Sequence, residues 1–272
     1  MEKLSTIGRI FYGVGMAGMG FQTIYYKDFP YMLIPLEHAG IPGLAILACI
    51  AGALLMLAGL CIVFCIKPKQ AALLLGSVLL MVFCFYFIPY QLIAVSRYMH
   101  YGEWENAMKE LALASGAFII AGCFSTKNEN AFFKFLSKLI PIGTILFAIT
   151  MISFGIDHFV YGKEAADYVP SWIPYHVFWI YFCGIPLVGS GIAIMLKIKT
   201  RLIATLLGIM IFIWVIILHI PYAIANPFGG MGGEVTSAFL ALAYSGIAFV
   251  IAGNYEMQGV QHKSHKTKKY FV

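Results

Sequence analysis

Charge is what this sequence has least of. Of its 272 residues only 11% are Asp, Glu, Lys or Arg, against roughly 25% in an average soluble domain, while 61% are apolar. That balance excludes a soluble enzyme domain, a disordered chain and a collagen-like rod. The net charge of +6 does not mark a nucleic-acid partner, because basic residues in so apolar a chain first report membrane topology.

Motifs that carry chemistry are equally sparse. The chain has no P-loop, no Rossmann glycine pattern, no metalloprotease His pair and no haem-attachment motif, so no cofactor can be named from them. Cys49, Cys61, Cys65, Cys84, Cys123 and Cys183 all lie in apolar runs, without a Cys-x-x-Cys pair or a Cys/His cluster at metal spacing. They read as small buried hydrophobes, and no metal site is expected. Lys3 and Arg9 precede the first apolar run, but no small-residue cleavage site follows. That run therefore reads as a retained helix rather than a signal peptide.

What is present is apolar length. Runs broken by Lys, Pro, Gly and Asn predict spans near residues 7–24, 41–66, 70–95, 108–124, 136–159, 172–196, 202–225 and 235–254, each near the roughly 20 residues a bilayer crossing needs. The expected fold class is all-α, a polytopic membrane protein with eight transmembrane helices. One set of loops, with both termini, holds 14 of the 18 basic residues. These are Lys3, Arg9, Lys67, Lys69, Lys127, Lys134, Lys138, Lys197, Lys199, Arg201, Lys263, Lys266, Lys268 and Lys269. The other set holds Lys27, Arg97, Lys109 and Lys163. The positive-inside bias therefore expects an integral protein of the cell or inner membrane, both termini cytoplasmic, with membrane lipids as partners. Residues 259–272 form a basic cytoplasmic tail, either solvated or lying against an anionic leaflet.

The chain is also written twice. Ile88, Pro89 and Tyr90 recur as Ile220, Pro221 and Tyr222, 132 positions later, and at that offset Pro42 matches Pro174, Gly52 Gly184, Gly59 Gly191, Lys67 Lys199, and Gly76 Gly208. The fourth and eighth runs agree at offsets of 129 to 131, and Gly20 matches Gly155 at 135. Two four-helix repeats, 1–130 and 131–258, are expected. An even number of crossings makes them parallel, related by an axis along the membrane normal. Gly52, Gly59, Gly184, Ser190 and Gly191 offer small surfaces for close helix approach.

Polar residues inside these runs mark the candidate site. Asp157 and His158 end the fifth run near the outer interface. His219 lies about 9 Å short of the seventh run's outer end at helical rise. Tyr222 shares a face with His219, and Pro221 deprives the Ile217 carbonyl of its helical partner. Trp172 and His176 add to the same side as secondary candidates. Such a set can bind a polar head group, relay a proton or hold a quinone ring. Trp172, Tyr175 and Trp179 are equally what an interfacial aromatic belt contains, and His38 reads as solvated. Opposite Asp157, His158 and His219 the first half carries Gln22, Thr23 and Phe87, so the second half is expected to own the site and the first to be mainly scaffold.

Residues 155–196 pair a helix ending in Gly and His-Phe with a loop holding Val-Pro and Trp-Ile-Pro, then a Gly-rich helix. This stretch, continued by His219 to Tyr222, resembles the opening of a DoxX-type membrane protein. Such proteins are four-helix units, so the resemblance implies a tandem fusion of two. Some relatives are membrane subunits of a thiosulfate:quinone oxidoreductase. The resemblance thus implies an accessory redox subunit that contacts quinone and a redox partner protein, for which the polar residues Asp157, His158 and His219 singled out above are the candidates. A non-enzymatic carrier or lipid-binding module is the alternative reading.

Overall fold

The computed structural model describes residues 2–30, 42–95, 99–126 and 128–269, without the side chains of Glu2, Met231 and residues 255–269. His38, Arg97 and Lys127 fall outside the described residues, and so do the side chains of the tail lysines. Among the described residues all regular structure is helical. The long helices are α1 Glu2–Tyr26, α2 Leu44–Val63, α3 Pro68–Ile93, α4 Glu105–Ala121, α5 Ala131–Val160, α6 His176–Met195, α7 Thr200–Ala225 and α8 Gly233–Lys269. The last runs through most of the segment expected as a tail.

Eight membrane-crossing helices were expected; six are long and apolar enough for it, namely α2, α3, α5, α6, α7 and α8 as far as Asn254. The other two are diluted by polar residues. α1 has 25 residues but includes Lys3, Arg9, Gln22 and Thr23. α4 has only 17 and begins with Glu105, Lys109 and Glu110. From Glu110 to Ala121 α4 is buried on every side, so protein rather than lipid surrounds it.

Helix starts follow from local chemistry. Pro68 opens α3, where its missing N–H costs nothing, and Asn130 caps α5 by accepting the Phe133 amide at 3.0 Å. The turn before α3 holds Cys65 and Lys67 at positive φ, and the turn before α7 holds Lys197 and Lys199 likewise. Pro89 and Pro221 have no amide to donate inside their helices. Each is preceded by a π turn, Phe83–Phe87 in α3 and Val215–His219 in α7, in which Ile88 donates to Phe83 and Ile220 to Val215.

α1 packs on α2 and α8, α5 on α4 and α6, α3 on α4, α7 on α8, and α4 meets α8 centrally. Close approach rests on glycine: a Cβ on Gly52 would lie 2.7 Å from the Gly20 carbonyl, and one on Gly155 2.9 Å from that of Gly184. At one end of the bundle Arg9 donates to the Ile62 and Val63 carbonyls at the C-terminus of α2, where a cation also suits the helix dipole. This end also carries Lys67, Lys69, Lys197 and Lys199 and is the basic end. At the opposite end Gln22 donates to the Gly232 carbonyl and the Thr236 hydroxyl, both at 2.8 Å, tying α1 to α8. Outward faces are broadly apolar: Leu54, Phe64, Val78, Phe85, Phe182, Ile185, Leu202 and Leu206 are all exposed.

Candidate functional site

The residues singled out from sequence lie toward the end opposite the basic one. Asp157 and His158 occupy the last turn of α5, and His219 closes the π turn of α7. Asp157 is half-buried, and its Oδ1 is buried with no hydrogen-bond partner among the described residues. The charges it feels come from α4, Glu105 and Lys109. His219 also feels Lys109. Asp157 and His219 thus share one charged neighbour, Lys109, which lies in the first turns of α4 rather than in a loop.

Lys109 is well held. Its Nζ lies 2.8 Å from Glu105 Oε1 and donates to Asn106 Oδ1 at 3.3 Å, and the Tyr244 hydroxyl donates to the Lys109 carbonyl at 3.2 Å. The 3-10 turn Tyr101–Trp104 covers the region. The Tyr101 hydroxyl donates to Ser153 Oγ at 2.7 Å. Burial pushes that hydroxyl above its ordinary value, its hydrogen bond with Ser153 opposes the shift, and the nearby Asp157 and Tyr161 add to it. Tyr101 therefore stays a neutral donor across the physiological range.

His158 takes a different direction. Its Nδ1 lies 2.7 Å from the Phe154 carbonyl, and its Cβ packs where a Gly184 side chain would be, against α6. It still feels Glu105. Tyr222 is half-buried one turn beyond His219. Trp172 is 69% exposed and His176 begins α6, so neither joins the cluster. Asp157 and His219, in the second half, thus feel charges from the first: Glu105 and Lys109 act on Asp157, and Lys109 on His219. Among the described residues no three His, Cys, Asp or Glu side chains converge to hold a metal ion.

The largest omission from the sequence reading is Glu110. It is 3% exposed, and none of the hydrogen bonds or ion pairs among the described residues involves its side chain. Glu110 immediately precedes the apolar run 111–121, so its spacing alone leaves it at a helix margin.

No family model, curated protein or solved structure matches the chain.

Proposed function

We propose that the chain is a DoxX-like integral membrane protein with eight spans, built as two parallel four-helix repeats and presenting its polar cluster on the outer side. Exchanging α1–α4 with α5–α8 turns every principal packing pair into another: α1 on α2 becomes α5 on α6, α3 on α4 becomes α7 on α8, and α1 on α8 becomes α5 on α4. Gly59 takes the carbonyl of Gly13 as Gly191 takes that of Ala148. The paired π turns and the paired positive-φ lysines support the same duplication.

Within that frame the protein is a quinone- or lipid-facing partner, an accessory redox subunit in the quinone case. The observation that carries this reading is the buried, unpartnered Asp157 Oδ1, whose carboxyl, like the His219 ring, feels the charge of Lys109. Asp157 suits a hydroxyl or N–H brought to it, and Lys109 and His219 suit a ring or ester oxygen. A quinone, when bound, supplies two-electron chemistry coupled to protons. Asp157 and His219 would hold its head, and Tyr101 with the turn around it would limit water.

The test is quinone binding to purified protein in nanodiscs. Asp157→Ala weakens binding of a short-chain ubiquinol, whose hydroxyl the carboxylate accepts, and His219→Ala weakens binding of the matching ubiquinone, each by about tenfold, the loss of one hydrogen bond to a charged or buried group. Equal binding in wild type and both variants overturns the quinone reading. The non-enzymatic carrier is the second reading, favoured by the π turns of α3 and α7, which give both halves a bending point in matching helices. Solute uptake into proteoliposomes without quinone binding selects it.

A further inference from the structure

None of the cluster's side chains lines the cavity of about 560 Å³ that opens among α1, α2, α3 and α4. The volume is that of a small-molecule pocket, and its walls are almost wholly apolar. Met16 and Met19 come from α1, Ala58 from α2 and Leu75 from α3. Its lips, Leu54 and Leu57 of α2 and Leu74 and Val78 of α3, are each 44% to 63% exposed, so the mouth faces sideways, toward lipid in a membrane-spanning chain.

Glu110 of α4 forms the base. The hydroxyls of Tyr12, Tyr244 and Thr23 are already committed. Tyr12 donates to the Leu113 carbonyl at 2.7 Å, Tyr244 to that of Lys109, and Thr23, also in the wall, to that of Met19 at 2.8 Å. Lys109 is taken by Glu105 and Asn106. A buried polar group with no partner is costly, and a native fold rarely keeps one without use. As a carboxylate it would face neither cation nor donor, which costs far more than the neutral acid, and the neutral acid keeps one O–H to give.

The geometry points to a second binding site: a long-chain amphiphile with an uncharged oxygen-bearing head, a carbonyl or hydroxyl, enters from the lipid between α2 and α3 and accepts the O–H of Glu110. The apolar walls along α2 and α3 hold its chain. This site stands apart from the polar cluster and does not depend on the function proposed for it.

Photolabelling tests the proposal. The protein, in phosphatidylcholine nanodiscs, is exposed to three diazirine probes that share one hexadecyl chain and differ in head: an alcohol, a carboxylate and a trimethylammonium. The alcohol labels residues 51–61 and 71–82 in preference to the rest of the apolar surface. Unlabelled geranylgeraniol or unlabelled diacylglycerol competes, and the stronger competitor identifies an isoprenoid or an acyl chain. Glu110→Gln keeps a donor and keeps labelling within about twofold, while Glu110→Leu loses about tenfold. Val78→Trp, at an exposed lip, closes the mouth without altering a buried group and loses as much. Labelling that ignores Val78→Trp, competition by neither lipid, or preference for the ammonium probe with loss in Glu110→Gln overturns the proposal.

Discussion

Single charged residues in this molecule divide by which end they occupy. Glu129, just before α5, lies at the basic end, where Lys69 Nζ stands 2.6 Å from its Oε1 and the Ser137 hydroxyl donates to its other oxygen at 3.3 Å. The Lys69 ammonium holds the Glu129 carboxyl below the usual carboxylate range. A folded value below the unfolded one means the pair stabilises the fold at neutral pH. That contribution drains as pH falls from the ordinary carboxylate value through the lowered one. Thermal unfolding followed from pH 7 downward should show a loss that Glu129→Gln abolishes, and high salt should shrink it because the pair meets solvent. At the opposite end the charges were harder to place. Asp157 and His219 stand out in sequence as polar groups in apolar runs. Lys109 and Glu110 sit beside Glu105 at the head of a helix that reads equally well as a loop margin. Nothing in their spacing tells a solvated acid from one at the floor of a cavity, because that depends on what α1, α2 and α3 bring around it.

At the scale of the element, glycine and proline carry the information. Gly20, Gly52, Gly155 and Gly184 were legible as a repeated small-residue pattern, and the structure uses them as backbone contacts between α1 and α2 and between α5 and α6. The expected cost of filling such a contact is that of overpacking. Gly155→Val, whose Cβ would lie 2.8 Å from the Val188 amide nitrogen, should destabilise the protein by about 1–3 kcal/mol in detergent unfolding. Gly189→Ala provides the control, since a Cβ there meets nothing within 4 Å. Equal stability of the two variants would mean that α5 and α6 do not depend on this approach. Proline was only half legible. Pro221 foretold a helix with an unanswered carbonyl, but the response, a π turn in both α3 and α7, depends on how far the neighbouring helices let the backbone widen.

At the scale of the whole molecule, the order of helices was readable because each break is made by residues with a local reason to break: Lys67 with Pro68, Lys197 to Lys199, Asn130. The interior was not. Periodicity says little about a helix that is apolar or small all round, and so it did not distinguish central α4 and α8 from peripheral α2 and α6. α4 packs on helices of both halves, so Glu110 lines a cavity among the helices of the first while the Lys109 charge is felt by Asp157 and His219 of the second. For orientation in the bilayer the chain carries its own reporter. Cys65 is exposed, in the turn between α2 and α3 at the basic end. Trp172 is exposed at the opposite end. Basic residues are held on the cytoplasmic side during insertion, so Cys65 should resist a membrane-impermeant maleimide on intact cells and react once the membrane is opened. Trp172→Cys, in a chain with Cys65→Ser, should react on intact cells. The reverse pattern would turn the molecule over and place Asp157 and His219 at the cytoplasmic end.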